Sequence, residues 1–490
     1  MKNTAGISNP ELEVKSRITR LFETQRAAYQ AAPYPTAAER IYKLRALKKQ
    51  ICRYQDVFTD ALSKDFGFRH ATESKLLDLL GSVLDADHAM THIKRWMKPS
   101  RRRTELLFFS NSLQVTYQPK GVVGVIVPWN FPVYLALGPL IAALAAGNRV
   151  MIKLSEITPA TNVVLARMLG EIFSEDEVAV VGGELADPNF FTTLPFNHIV
   201  FTGSPAVGKL VMSTAAANLT PVTLELGGKS PAVVTRNYPL GDAARRITHG
   251  KLSNCGQICV SPDYALVPRE SVAAFIAGVR SSFADLSGDS ESGVQSTWVV
   301  NDRHFARIES LLADARDKGA TVIACAEFNA ESDGRQMPLH IVSGCTPDMR
   351  ILQEELFGPI LPVIPYDTLD DAINFINRHE RPLALYCFSH DNAERQHLLK
   401  HTHSGGVTIN DWGWHVVNHD APFGGIGHSG MGSYHGEEGF RELSHAKTVL
   451  KRQRFFPTHW FYPPYGNLVQ NLTLRFYLGK ADPALKKIDE

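Results

Sequence analysis

Apolar residues between positions 39 and 65 recur at helical spacing: Ile41, Leu44, Leu47, Ile51, Tyr54, Val57, Phe58 and Leu62 fall on one stripe, and Gly67 follows as a stop. This predicts an amphipathic helix lying on a sheet. The segment 110–119, SNSLQVTYQP, alternates and predicts a strand or hairpin. Beyond it, short unbroken apolar runs take turns with helical stretches: VVGVIV, a helix over 133–146, RVMIKLS, a helix over 159–173, EVAVVGG, NHIVFTGS, a helix over 205–217, and PVTLELGG. Short buried strands separated by helices are the mark of βαβ units, with a mainly parallel sheet covered on both faces, as in dinucleotide-binding domains.

After Gly228 the rhythm resumes with PAVVT, a helix from about 240 to 254, YALVP, a helix from about 270 to 285, and ATVIACA, which reads as a second α/β unit reaching about residue 425. The last 65 or so residues, rich in Gly, His and aromatics, read as loops with a packing or interface arm. Residues 121–148 carry no charge, a length that would span a membrane. Pro128, Asn130, Pro132 and Pro139 interrupt the run, so a buried strand, a loop and a helix ending at Gly147 describe it better.

Composition narrows the class. With 490 residues, 44% hydrophobic and 21% charged, the chain is long enough for two to four structural units and has ample material for buried cores. A formal charge of +1 provides no global field for nucleic acid or anionic membrane, and Arg101, Arg102 and Arg103 read as solvated loop charges. Neither a nucleic-acid partner nor a membrane anchor is expected. Six cysteines (Cys52, Cys255, Cys259, Cys325, Cys345, Cys387) are too dispersed for a disulfide framework, and the N-terminus lacks an apolar signal segment, so a reducing, cytoplasmic location is expected.

Single motifs leave their chemistry open. Cys259, in GQICVSPDY, reads on its own as a buried thiol, with an exposed nucleophile as the alternative. Cys255 would share its helical face if the segment continued as a helix, and reads as a packing residue. Asn130 between aromatic and proline residues often only makes a turn, and Glu225 at the end of VTLEL could be a salt-bridge partner. Gly203 to Gly208, GSPAVG, opens a helix with Pro205 in its first turn and departs from the G-x-G-x-x-G fingerprint. The histidines at 401, 403, 415, 419, 428 and 435 form no ordered ligand motif, so no metal is expected.

Seven distant segments are more specific together: PWNFP (128–132), KLSE (153–156), FTGSPAVG (201–208), ELGGKSP (225–231), GQIC (256–259), EELFGP (354–359) and PFGGIGHSGMG (422–432). In this order they resemble the aldehyde dehydrogenase superfamily over roughly residues 15 to 450. CVSPDY and SGMGSYHGEEGF are similar to the class 3 branch, and PPYG at 463–466 is similar to the ending of bacterial coniferyl aldehyde dehydrogenases. The motif departs from the family in carrying Leu154 where proline is usual.

The resemblance implies an α/β fold: a Rossmann-like NAD(P)-binding domain (15–107 and 121–225), a second α/β catalytic domain (226–425), a small β oligomerisation arm (108–120 and 440–460) and a C-terminal tail (461–490). It implies oxidation of an aldehyde, aromatic such as coniferyl aldehyde or medium- to long-chain aliphatic, to the acid. In that scheme Cys259 is the nucleophile, Asn130 with the Cys259 N–H holds the oxyanion, and Glu225 activates the hydrolytic water. Lys153, Glu156, Gly203, Ser204, Gly208, Glu355 and Phe357 correspond to positions that hold NAD, with NADP as an alternative, and a homodimer is implied. Trp412, Trp414 and Tyr434 are expected near the mouth of the site. Two other classes share these residues: a cofactor-independent thiol esterase or hydrolase, which would need an imidazole beside Cys259, and a non-catalytic relative of the same fold.

Overall fold

The computed structural model describes residues 10–183, 185, 187, 189–287, 296–327 and 334–479. It forms two compact units, one built from Met1–Met97 and Gln118–His445, the other from Lys98–Tyr117 and Ala446–Glu490. Residues 480–490 of the expected tail lie outside the described residues.

The larger unit contains two sheets. Six strands lie in the order Gly430–Met431, Val222–Glu225, His198–Thr202, Val122–Ile126, Arg149–Lys153 and Val178–Val181, all parallel except the first. Seven more run Thr321–Ala324, His340–Ser343, Ile360–Tyr366, Tyr264–Pro268, Pro231–Val234, Ala384–Phe388 and Gly406–Ile409, with only the first antiparallel to its neighbour. The smaller unit holds most of a three-stranded sheet of Ser100–Arg102, Ser112–Pro119 and Ser444–Lys451. The α/β class expected from alternating strands and helices is therefore observed.

The uncharged stretch becomes a strand, a loop and the helix Tyr134–Ala146, whose 13 residues are all buried. A helix that is apolar on every face belongs inside a core, and its unpaired terminal amides and carbonyls must find partners there. Asp78 supplies them at the start, accepting from the N–H groups of Val133 at 3.1 Å and Tyr134 at 2.7 Å. At the far end buried Arg40 donates to the Ala145 carbonyl at 2.9 Å, lying against Gly147, which closes the helix at φ 92°. A carboxylate at the N-terminus and a guanidinium at the C-terminus also match the helix dipole. Asp78 in turn pairs with Arg69 at 3.1 Å, both fully buried, and Arg69 reaches the Asn130 carbonyl at 3.3 Å. The PWNFP loop thus inherits its position from this helix.

The helix expected over 39–65 spans Ala37–Phe66, opened by a Thr36–Glu39 capping box. Leu44, Leu47, Ile51, Tyr54, Phe58 and Leu62 are buried as expected, whereas Ile41 is only half-buried and Val57 is exposed. The buried stripe steps from Tyr54 directly to Phe58, leaving Val57 about 100° around the helix. Other helices end short of expectation, at Gly170, Ala215 and Leu252, and one is shifted to Val272–Ser287. The C-terminal region is also more regular than loops: it includes the helices Gly436–Glu442 and Leu468–Leu478, the latter opened by an Asn467–Gln470 capping box. No helix among the described residues is long and apolar enough to cross a membrane.

Replacing Asp78 by Ala should leave Arg69 as an uncompensated buried charge and strip the acceptor from two helix amides. Unfolding in urea should reveal a loss of about 3–5 kcal/mol, and a loss below about 1 kcal/mol would show that this buried pair does not organise the core.

Candidate active site

The helix Leu240–Leu252 stops because Asn254 and Cys255 adopt left-handed backbone, at φ 46° and 56°, followed by Gly256 at 69°. Helical register does not carry through, so Cys255 and Cys259 share no helix face. A left-handed non-glycine residue costs roughly 1–3 kcal/mol, and surrounding contacts must offset it. Here buried side chains do so. Gln257 Nε2 donates to the carbonyls of Asn254 at 3.0 Å and Trp298 at 3.1 Å, while its Oε1 accepts from the Val300 N–H at 3.0 Å. Asn254 Nδ2 donates to the carbonyls of Asn130 at 3.2 Å and Gln257 at 3.1 Å. Gly256 has no room for a side chain, since a Cβ would lie 2.5 Å from the Gly358 carbonyl oxygen. The turn sends Cys255 inward, where its thiol faces the Met337 carbonyl at 3.9 Å, and presents half-buried Cys259 to a cavity of about 460 Å³.

That cavity is also lined by Asn130, Gly203, Ser204, Glu225, Glu355 and Phe357, so it unites seven of the ten residues singled out from sequence. Glu225 ends its strand opposite Thr202 and Gly430 and is 3% exposed, with neither carboxyl oxygen hydrogen-bonded to protein. Burial alone pushes its pKa well above the usual carboxyl range. Its backbone carbonyl accepts from the Gly203 N–H at 3.0 Å, tying it to the turn before the helix Pro205–Ala215. Ser204 caps that helix through a 3.4 Å bond from the Val207 N–H. Asn130 is 3% exposed and its amide donates to the Gln257 carbonyl at 3.2 Å, which fixes it beside the cysteine turn.

Burial raises the Cys259 thiol to about 12, with the carboxylates of Glu355 and Glu225 adding to the effect; the N–H groups of Cys259 and Val260 oppose it. Burial, followed by Asp263, also lifts Glu355 to about 8, against a hydrogen bond from the Gly228 N–H. The Glu355 carboxyl lies so close to Gly227 that a Cβ there would fall 2.0 Å from Oε2. Beneath these groups, Lys229 is 8% exposed, forms a short ion pair with Asp263, and donates to the carbonyls of Ile351 at 2.8 Å and Glu354 at 3.0 Å. The other oxygen of Asp263 accepts from the Leu356 N–H at 2.9 Å. One buried pair therefore joins the ELGGKSP, CVSPDY and EELFGP segments.

Lys153, Glu156 and Gly208 do not line the cavity. Lys153 closes its strand and is 6% exposed, Glu156 is exposed in the turn beyond it, and Gly208 packs under Leu226, which does line the cavity. Trp412, Trp414 and Tyr434 are likewise outside the lining: Trp412 donates to His249 Nδ1 at 2.9 Å, Trp414 is exposed, and Tyr434 is buried. Sequence reasoning missed Trp129 and His304, which join Phe357 in an aromatic wall, with ring centroids 5.4 Å apart for Trp129–Phe357 and 4.7 Å for Trp129–His304. It also missed Arg307, which donates to the carbonyls of Glu355 and Leu356. Trp129 had a signal, lying inside PWNFP; His304 and Arg307 come from the helix Asp302–Asp317, where no motif marks them. Burial, then Arg307 and Arg303, lowers His304 to about 4, so its ring is neutral near pH 7. Among the described residues, no group of three or more His, Cys, Asp or Glu is disposed to hold a metal.

A thiol, a carboxyl and a carboxamide thus border one cavity, with a helix N-terminus and an aromatic wall on its rim. The sequence pattern of the aldehyde dehydrogenase family matches residues 7–449, and the chain belongs to that family. It is 48% identical over 463 residues to a protein of Pseudomonas aeruginosa named probable coniferyl aldehyde dehydrogenase, covering 94% of this chain and 97% of that one. The fold is similar to the substrate-bound state of AldH from Staphylococcus aureus, with a TM-score of 0.88, 33% identity, and 94% and 99% of the two chains covered. An aldehyde dehydrogenase of Mycobacterium tuberculosis complexed with NAD+ matches with a TM-score of 0.81 and 28% identity over 90% of each chain. The chain is thus an NAD(P)-dependent oxidoreductase acting on aldehydes.

With its thiol raised to about 12 by burial, Cys259 is almost wholly protonated at pH 7 before any ligand binds. Alkylation of the Cys259 peptide, followed by mass spectrometry, should accelerate about tenfold per pH unit from 7 to 10. Above about pH 8, where Glu355 is ionised, Glu355→Gln removes a negative charge beside the sulfur and should accelerate it at fixed pH. A plateau below pH 9 would contradict this electrostatic reading.

Proposed function

We propose that this enzyme oxidises aromatic aldehydes of the coniferyl type to their acids, with Cys259 as nucleophile, Asn130 in the oxyanion hole and Glu225 as the base for hydrolysis. The observation that carries the assignment is the common cavity these three side chains border. The name of the P. aeruginosa relative supports the aromatic substrate.

The cofactor fits the residues on the cavity rim. The positive end of the helix Pro205–Ala215, preceded by Gly203 and Ser204, would take the pyrophosphate. Gly208 lets that helix pack closely on Leu226. Glu355 and Phe357 would hold the nicotinamide ribose and ring, and Lys153 and Glu156 the adenosine ribose. A carboxylate at Glu156 accepts hydrogen bonds from a ribose diol and repels a 2′-phosphate, which favours NAD over NADP. When bound, NAD supplies the two-electron acceptor for hydride from the substrate carbon.

Cys259 adds to the carbonyl as thiolate, and the negative charge moves to the aldehyde oxygen. Asn130 Nδ2 and the Cys259 N–H stabilise that oxyanion; such a donor lowers the barrier by about 2.7–4 kcal/mol. Loss of hydride from the carbon leaves a thioester on Cys259. Glu225 then takes a proton from water, the resulting hydroxide adds to the thioester, and the carbon–sulfur bond breaks to release the carboxylic acid and the Cys259 thiolate. A carboxyl group with a raised pKa is a stronger base, once ionised, than one in water. We further assign residues 15–107 and 121–225 to NAD(P) binding, 226–425 to catalysis, and 108–120 with 440–460 to a homodimer contact, in a cytoplasmic enzyme.

Cys259→Ala should make no NADH from coniferyl aldehyde, and wild-type turnover by that variant would refute the nucleophile. Glu225→Gln should give one rapid equivalent of NADH and then slow turnover; an undiminished steady state would remove Glu225 as base. Asn130→Ala should lower kcat by about 10²–10³, and a change in KM alone would reassign it to ground-state binding.

A further inference from the structure

The backbone of the left-handed turn is also anchored from a distant helix. Glu73, in the short helix Ala71–Ser74, accepts a 2.7 Å bond from the Asn254 N–H through Oε1, and its Oε2 accepts a short bond from the Thr297 hydroxyl. Asn254 and Thr297 are buried, at 0% and 1% exposure, and Glu73 is half-buried at the edge of a second cavity that also includes Leu76, His249 and Ser253. The Asn254 N–H is a donor that the end of the helix Leu240–Leu252 leaves without a helical acceptor, because the chain turns left-handed there.

From the same residue the contacts lead to both groups assigned to the reaction. The Asn254 side chain donates to the Asn130 carbonyl at 3.2 Å and to the Gln257 carbonyl at 3.1 Å, and the Asn130 amide donates to that same Gln257 carbonyl at 3.2 Å. Gln257 is two residues before Cys259. A shift of the Asn254 backbone therefore moves the carboxamide donor and the sulfur with respect to each other, while the segment carrying Glu355 and Phe357 is held by Lys229 and Asp263 and the helix Pro205–Ala215 by its own cap.

We propose that Glu73 is a positioning residue for the oxidation, holding the Asn254–Gly256 turn in its left-handed form so that Cys259 and the Asn130 amide face one carbonyl carbon. This rests on the assignment of Cys259 and Asn130 above. Glu73 touches neither substrate nor cofactor; it acts through Asn254. Its carboxylate is needed as an acceptor at the right reach, not as a charge for the reaction.

The test compares Glu73→Ala, Glu73→Gln and Glu73→Asp with the wild-type enzyme in NADH formation from coniferyl aldehyde, NAD affinity by intrinsic fluorescence, and melting temperature. Glu73→Ala should lower kcat on the order of 10- to 100-fold, as small misplacements of reacting groups do, with NAD affinity unchanged. Glu73→Gln keeps the acceptor and should stay within about threefold of wild type. Glu73→Asp keeps the charge but shortens the reach; it should fall with Ala, and it replaces Ala if that variant does not fold. Aspartate at the wild-type rate, glutamine as impaired as alanine, or a deficit confined to NAD affinity would each overturn the proposal. Because every comparison is with wild type, failure of Cys259-dependent turnover in the wild-type enzyme would instead refute the reading of the site.

Discussion

Hydrogen bonding of one reversed turn governs the site. A thiol used in covalent chemistry must reach a cavity, yet the chain around it must be rigid enough to keep a donor and a base at hand. Three consecutive left-handed residues, 254–256, break the incoming helix and aim the following segment outward. Their strain persists because Gln257 and Asn254 use their side-chain amides on nearby backbone groups, in a region closed to water. Cys255 and Cys259, four residues apart, therefore have opposite fates: one thiol packed in the core, the other at a cavity wall.

The buried charges serve the same end at a larger scale. Lys229 and Asp263 spend their hydrogen bonds on backbone of the 351–356 segment, so the loop carrying Glu355 and Phe357 is fixed relative to the strand end carrying Glu225. Replacing the pair with apolar residues of equal volume need not weaken the fold, since ion pairs lose much of their attraction to desolvation. Their value here is directional: each donor and acceptor has a specific backbone partner. The Asp78–Arg69 pair does comparable work for the loop of Asn130.

Low polarity around the cavity has an electrostatic consequence. Glu225 and Glu355 both resist ionisation, and the Cys259 thiol does too, so the site avoids holding three negative charges together. A cationic nicotinamide ring beside the sulfur would favour its thiolate, coupling nucleophile activation to cofactor binding. Neutral His304 adds no positive charge of its own to the aromatic wall.

Much of this was legible in the sequence because strand-to-helix turns and glycine-rich segments have local signatures. The buried strands and the apolar helix ending at Gly147 follow from such signals, whereas the seven cavity residues follow from the resemblance of seven ordered motifs to one family. The parts that escaped depend on distant pairings. Nothing near Glu73 announces a bond to Asn254, 181 residues away, and nothing near His304 announces a stack on Trp129. Val57 fits a helical stripe by type yet faces outward, and the Trp412 side chain bonds to His249 instead of lining the cavity. The most direct test is to quench wild-type enzyme during turnover of coniferyl aldehyde with NAD and map the acyl group by peptide mass spectrometry. The account predicts a cinnamoyl-type thioester on Cys259 alone; acylation of Cys255, or sustained turnover with no acylated cysteine at all, would contradict it.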